Sequence, residues 1–152
     1  MTGLNSLEKN ILHSIDFVKR YHKINTMFTD DKEIKFVLNK KIVLKNTEFI
    51  FKAHKNLFIH DEMERDYVFR VLLDIKNKNC LTYIYVLKRG EFMNNGLSHF
   101  GYLLNFFDIS NLVFNDNFGI NSEIEFEKYV KEIMSIFHDF KSEFLQQITE
   151  EA

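Results

Sequence analysis

The sequence has no proline, no tryptophan, one cysteine and five glycines among its 152 residues. Because Cys80 is alone, no internal disulfide can form, which is compatible with a reducing compartment. The scarcity of glycine argues against a glycine-rich phosphate loop. The sequence also contains no Gly-x-Ser-x-Gly, no zinc-type cysteine pairs and no His-Glu-x-x-His. We therefore expect no cofactor and no resident metal, and no residue is assigned a catalytic role.

Long apolar runs are also missing. The longest, such as Val71–Leu73, are far shorter than the ~20 residues that a membrane-spanning helix needs. The first residues lack the basic region and apolar stretch of a secretory signal, so a cytoplasmic location without membrane association is expected. The length, with 45% hydrophobic and 28% charged residues, predicts one folded domain over residues 1–152.

Two segments have the pattern of amphipathic helices. Asn5 and Glu8 form a capping pair at the N-terminus, and apolar residues then recur every three or four positions as far as Tyr21. Ser122 and Glu125 repeat the capping pair before a long series of the same spacing that ends at Ile148. The sequence therefore predicts an N-terminal helix and a long C-terminal helix.

Between these helices the apolar period changes to two, which is typical of strands. We predict strands over 34–38, 42–44, 49–53, 67–75, 81–87 and 112–114. Turns are predicted at Asn39-Lys40 and Asn46-Thr47, an irregular segment over 55–66, and a short helix over 97–107. Both faces of the strand 81–87 are apolar, so it is predicted to be central and covered on both sides. The expected fold class is α+β, with an antiparallel meander sheet of five to six strands packed with the two helices.

The densest group of potential ligands is a predicted acidic loop that contains His54, His60, Asp61, Glu62, Glu64 and Asp66. Its spacing matches no known metal site, so a solvated loop is the preferred interpretation. Ser98 and His99 are adjacent in sequence, which is a poor geometry for a nucleophile and its base. His13, His22 and His138 have no carboxylate partner that their spacing reveals.

Charge is strongly segregated along the chain. Residues 32–56 contain seven lysines and two glutamates, a net charge of +5, whereas 57–66 sum to -3 and 122–152 to -5. Separated patches of opposite sign suit directional recognition of a partner. The acidic surfaces could cover the basic cleft of a nuclease, and the candidate partner-binding residues are Asp61, Glu62, Glu64, Asp66, Glu123 and Glu127.

In size, cytoplasmic character and lack of catalytic residues, the chain resembles the small bacterial immunity proteins. The resemblance implies a non-catalytic inhibitor that binds a cognate, nuclease-like toxin and occludes its active site. A phage-type inhibitor of a host defence complex and a secretion chaperone are alternatives of the same binding class. In each case a protein partner is expected.

Two alternatives belong to other classes. A small hydrolase or nuclease could use His54, His60 and Asp61, if these side chains converge. The lysine-bearing strand face of residues 35–52 could bind nucleic acid. Nucleic acid is disfavoured because the predicted strand parity places aromatic side chains inward and lysines outward, which prevents them from interleaving.

Overall fold

The computed structural model describes residues 6–53, 55–93, 100–104, 107–108, 112, 114 and 118–151. The helices in these ranges are α1 (Ser6–Ser14), α2 (Phe17–Met27), α3 (Lys40–Asn46), α4 (Phe100–Leu103) and α5 (Glu123–Glu151). The strands are β1 (Ile50–Lys52), β2 (Leu57–Glu64), β3 (Tyr67–Lys76), β4 (Asn79–Lys88) and β5 (Glu91–Phe92).

The strands form one antiparallel meander in the order β1-β2-β3-β4-β5. Since β5 has only two residues, the body of the sheet is four strands, and the prediction of five to six strands is slightly too high. The α+β class, the antiparallel sheet and the helices at both ends of the chain are confirmed. The longest pairings join β3 to β2 and β4, with Val71 opposite both His60 and Ile84.

One face of the sheet packs against the helices. Alternate residues of a strand point to opposite faces, and on β3 the residues Phe69, Val71 and Leu73 are fully buried. Helix α5 supplies the opposing layer with a stripe of buried aromatic rings at Phe126, Phe137, Phe140 and Phe144. We call this the helix-facing side of the sheet, and the opposite one the outer face.

The outer face is only partly buried, contrary to the expectation that both faces of the strand 81–87 are covered. On β4, Cys80, Thr82, Ile84 and Val86 are buried on the helix-facing side. Leu81 on the outer face is 41% exposed. Within the residues that the structure describes, the apolar character of both parities therefore does not correspond to two layers of helices.

The N-terminal helical segment is divided in two. Asp16 adopts a left-handed backbone conformation with φ of 60°, and this residue separates α1 from α2. The apolar periodicity continues across the break, because both helices contribute to the same core through residues such as Ile11, Phe17 and Ile24. The sequence therefore indicated one helix where the structure has two.

The prediction of strands over 34–38 and 42–44 is wrong. The first segment has no regular structure, and the second lies in α3. Asn39 is the N-cap of this helix rather than a turn residue, since its side chain accepts a hydrogen bond from the backbone N–H of Ile42 at 2.9 Å. Asn46 and Thr47 end the helix. The lysines of residues 35–52 therefore lie on an irregular segment, a helix and an edge strand, and the predicted lysine-bearing sheet face does not exist.

The prediction that residues 55–66 are irregular is also wrong for most of this segment. Residues 57–64 form β2, which pairs with β3 from Phe58 to Glu64. By contrast, the strands predicted over 67–75 and 81–87 are confirmed as β3 and β4. The strand predicted over 49–53 is present as the shorter β1, and the helix predicted over 97–107 is present in part as α4.

Some predicted elements fall wholly or partly outside the described residues. In the strand predicted over 112–114, Leu112 and Phe114 have no strand structure, and Val113 lies outside the description. Within the described part of the chain, no helix has the length and apolar character needed to cross a bilayer.

Candidate functional site: a cleft between α3, β2 and α5

A cleft of about 660 Å³ opens where α3, the segment between α3 and β1, β2 and α5 meet. Its apolar lining comes from Phe49, Val130 and Met134, and its polar lining from Lys45, Asn46, Thr47, Glu48, His60, Glu62 and His138. A concave surface with an apolar lining and a few convergent polar groups is the usual form of a binding site. We refer to it below as the cleft.

Glu62 is the centre of a hydrogen-bonded cluster at one wall of the cleft. Its Oε2 atom lies 2.8 Å from Nε2 of His60 and 2.9 Å from Nε2 of His138, and its Oε1 accepts a hydrogen bond from Nζ of Lys141 at 3.0 Å. We call these four residues the Glu62 cluster. His60 and Glu62 are two residues apart on β2 and so share the helix-facing side, while His138 and Lys141 are three apart on α5 and share one helix face. The cluster therefore joins the sheet to the C-terminal helix.

The protonation of this cluster follows from the pKa of Glu62. Partial burial alone would raise the pKa of the carboxyl group, but hydrogen bonds from His60, His138 and Lys141 outweigh it and lower the pKa to about 2. At neutral pH the carboxylate is therefore ionised and only accepts hydrogen bonds. Each imidazole must donate its Nε2–H, so a neutral ring has Nδ1 as its proton acceptor. The ring of His60 is further held by stacking on Phe49, with centroids 5.5 Å apart.

The rim of the cleft carries a second group of charges. Lys45 on α3 forms an ion pair with Glu123 at the start of α5, with Nζ and Oε2 3.0 Å apart. Asn46 also donates a hydrogen bond to Glu123, and these two contacts lower the pKa of that carboxyl group. Glu127, one helical turn further, adds to the field that raises the pKa of Lys45. The rim is thus a mixed-charge surface in which carboxylates outnumber ammonium groups.

The structure brings four of the six predicted partner-binding residues to the cleft and its surroundings. Glu62 lines the cleft, and Glu123 and Glu127 approach it through Lys45. Glu64 lies on the same side of β2 as Glu62, with Oε2 4.0 Å from Nζ of Lys141. None of these four residues lies in a loop, because β2 and α5 position all of them.

Asp61 and Asp66 lie elsewhere. Asp61 faces the outer side of the sheet, where its carboxylate accepts two hydrogen bonds from Arg70 at 2.8 and 2.9 Å. Asp66 is in the turn after β2, 3.4 Å from Arg89, and both side chains are largely exposed. The acidic residues of 61–66 are therefore divided between two faces and a turn, and do not form one continuous loop surface.

The two described residues of the trio considered for hydrolysis do not lie together. His60 and Asp61 are consecutive strand residues and point to opposite faces, and His54 lies outside the described residues, as do Ser98 and His99. The structure instead brings His60 together with Glu62, His138 and Lys141, because all three of these basic side chains contact the Glu62 carboxylate. Sequence spacing left His138 without a partner. The i, i+3 spacing of His138 and Lys141 indicates that the two side chains share a helix face, but nothing in the local sequence indicates that β2 supplies their carboxylate.

The described side chains at the cleft do not form a metal site. Among the residues that the structure describes, no group of three or more His, Cys, Asp or Glu side chains could hold a metal ion. In the Glu62 cluster the lysine ammonium group already compensates the carboxylate. The geometry is that of a hydrogen-bonded ion cluster.

Comparisons of the chain with known protein families, with curated proteins and with solved structures found no match.

Proposed function

We propose that this chain is a protein-binding module that recognises a basic region of a partner protein through the cleft. The observation that carries the proposal is the excess of carboxylates at the cleft: Glu62 in its lining and Glu123 and Glu127 at its rim, against the ammonium groups of Lys45 and Lys141. Carboxylates gathered from distant parts of the chain attract a basic partner and orient it during encounter.

The apolar lining supports the same kind of partner. Phe49, Val130 and Met134 offer surface to the aliphatic stem of a lysine or arginine, while the rim carboxylates accept hydrogen bonds from its charged head. A side chain with an apolar stem and a cationic end therefore suits the cleft better than an anionic ligand.

The more specific form of the proposal is an inhibitor of the immunity-protein kind. An enzyme that acts on nucleic acid needs a basic active cleft, and a module that places carboxylates in that cleft would occlude it. In this form the partner is a nuclease-like toxin, and the inhibitor needs no chemistry of its own. A host defence complex and a secreted effector remain alternative partners of the same binding mode.

The test is capture of a partner from the native host with the tagged chain, followed by mass spectrometry and affinity measurement of the captured protein. Two accessible carboxylates are reversed, in Glu64→Lys and Glu127→Lys, because both can change without removing the centre of the Glu62 cluster. We expect one stoichiometric basic protein, and we expect the double variant to bind it about tenfold more weakly.

The matched control is Glu33→Lys, which reverses an exposed carboxylate on the irregular segment before α3. If binding depended only on net charge, this variant would lose about half of the binding free energy that the double variant loses, because it makes half the change in charge. The proposal would be contradicted if no protein partner is recovered. It would also be contradicted if Glu33→Lys loses as much binding free energy per reversed charge as the double variant does.

The Glu62 cluster favours a second candidate function, a hydrolase that uses His60 as a general base. A carboxylate that fixes one imidazole nitrogen as a donor leaves the other as a base, which is the arrangement that catalytic His–carboxylate pairs use. The cleft gives this base a volume in which a small substrate and a water molecule could lie.

This candidate is tested by assaying the chain on activated ester and phosphodiester substrates, with His60→Gln as the variant and His13→Gln as the control. General-base catalysis predicts hydrolysis that His60→Gln reduces by a factor of 10² or more, while the control retains it. Activity that is absent, or equal in both variants, would reject the hydrolase.

A further inference from the structure

Strand β2 has an open edge over half of its length. It pairs with β3 from Phe58 to Glu64, but β1 pairs with only Leu57, Phe58 and Ile59. The chain comes from α3 and reaches this edge at Phe49, whose ring stacks on His60. Among the described residues, no strand and no loop backbone pairs with the remaining side of His60–Glu64. We call His60–Glu64 the open edge.

The open edge is long enough to bind a short peptide. Its five residues correspond to about 17 Å of extended chain. Backbone N–H and C=O groups on the free side of a strand are strong hydrogen-bonding groups without a partner in the sheet. An added strand would satisfy them.

Recesses flank the open edge on both faces of the sheet. On the helix-facing side lies the cleft, lined here by His60 and Glu62. On the outer face lies a recess of about 340 Å³ lined by Ile50, Ile59, Asp61 and Arg70, among others. Side chains of an extended strand alternate between two faces. A strand added at the open edge would therefore direct alternate side chains toward the cleft and toward the outer recess.

We propose that the open edge binds an extended segment of the partner as an additional strand, with a basic side chain toward the cleft and an apolar one toward the outer recess. This inference rests on the proposed function and specifies its binding mode. Main-chain hydrogen bonds would supply affinity, and the two recesses would supply specificity, as in other cases of strand addition.

Charge selects the partner strand. The open edge carries Asp61, Glu62 and Glu64. Arg70 pairs with Asp61 and Lys141 with Glu62, so a net charge of -1 remains, carried by the half-exposed Glu64. A second copy of the chain would bring these carboxylates close to their own counterparts, and like charges in directly opposed strand positions are destabilising. A basic segment gains attraction where a second copy meets repulsion, so the occupant is a partner of opposite charge.

The experiment uses the full chain and capped seven-residue peptides of alternating lysine and valine. The comparison peptide replaces every lysine by glutamate. Two further peptides carry N-methyl groups, either on the lysine residues or on the valine residues. Affinity is measured by fluorescence anisotropy, and amide hydrogen exchange of His60–Glu64 is followed by NMR.

We expect the lysine peptide to bind and the glutamate peptide to bind on the order of tenfold more weakly or not at all. Because an added strand directs only alternate N–H groups at the protein, one N-methylated peptide should lose about tenfold in affinity and the other should retain it. Amides of the open edge should exchange more slowly in the complex.

Equal binding of the two N-methylated peptides, or unchanged exchange at the open edge, would overturn strand addition. A concentration-dependent dimer of the free chain with the same amides protected would assign the edge to a second copy and would also overturn it. If a host partner is captured through Glu64 and Glu127 while these amides exchange freely, the proposed function stands and this inference fails.

Discussion

The Glu62 cluster makes a strong prediction about stability and pH. Replacing Glu62 by Gln preserves the size of the side chain but removes the charge that His60, His138 and Lys141 surround. The pKa of Glu62 is lowered from 4.5 to about 2, and each unit corresponds to ~1.4 kcal/mol. The upper bound on the contribution is thus about 3 kcal/mol. Solvent screening reduces it, because 23% of the side chain is exposed.

We therefore expect Glu62→Gln to lower the free energy of unfolding at pH 7 by about 1–2 kcal/mol. The pKa is lower in the folded chain than in the unfolded chain, so the ionised form stabilises the native state above pH 4.5. This contribution is lost as the pH falls from 4.5 toward 2. The difference between the native chain and the variant should therefore shrink across that interval.

The assay is urea unfolding followed by circular dichroism at pH 7, 5, 4 and 3. Glu64→Gln is the matched control, since Glu64 lies on the same side of β2 and its closest ammonium group is 4.0 Å away. The control should change stability by less than about 0.5 kcal/mol. If Glu62→Gln unfolds like the control at pH 7, or if its deficit is the same at pH 7 and pH 3, the cluster does not stabilise the fold as described.

Three further predictions concern the core and one helix terminus. Tyr129→Phe removes a buried hydroxyl that donates to the backbone oxygen of Cys80 and is hydrogen-bonded to Thr82, so urea unfolding should show a loss of about 1–2 kcal/mol; an unchanged midpoint would contradict this contact. Asn39→Ala removes the cap of α3 and should cost about 1 kcal/mol in the same assay, while Asn39→Asp should retain it. Burial raises the pKa of the Cys80 thiol to about 12, so a chromogenic disulfide reagent should modify it slowly in the native chain and rapidly in urea; rapid native reaction would show that this part of the core opens readily.

Apolar periodicity correctly predicted the elements that bury one regular face of apolar side chains. β3 alternates buried and half-buried residues, and α5 buries one stripe, so their spacing of two and of three to four is visible in the sequence. These elements form the centre of the fold, where burial of apolar surface decides which side chain points inward.

The prediction from sequence was wrong for β2, where polar side chains occupy positions that face the helices. β2 carries His60, Glu62 and Glu64 on the helix-facing side, a parity that an ordinary half-buried strand would fill with apolar residues. The sequence therefore indicated an acidic loop. The segment is a strand because His138 and Lys141 on α5 satisfy Glu62, and because β3 supplies its backbone partners.

The prediction of a strand over 42–44, made from a short alternating pattern, was also wrong, because this segment lies in α3. Apolar residues at 42 and 44 are compatible with a strand, but α3 buries Val43 fully and leaves Leu44 exposed. The capping hydrogen bond of Asn39 and the ion pair of Lys45 with Glu123 hold this segment as a helix against α5. A seven-residue segment is too short for its own periodicity to distinguish the two structures.

The sequence by itself determined the α+β class, the antiparallel strands β3 and β4, the long C-terminal helix and the segregation of charge. Only the tertiary structure decided which charges meet. Glu62 and His138 are 2.9 Å apart although 76 residues separate them, and Asp61 and Glu62 are adjacent yet lie on opposite faces. The physical reason is that local periodicity fixes the direction of a side chain within its own element, whereas the packing of α3, β2 and α5 fixes which side chains share the cleft.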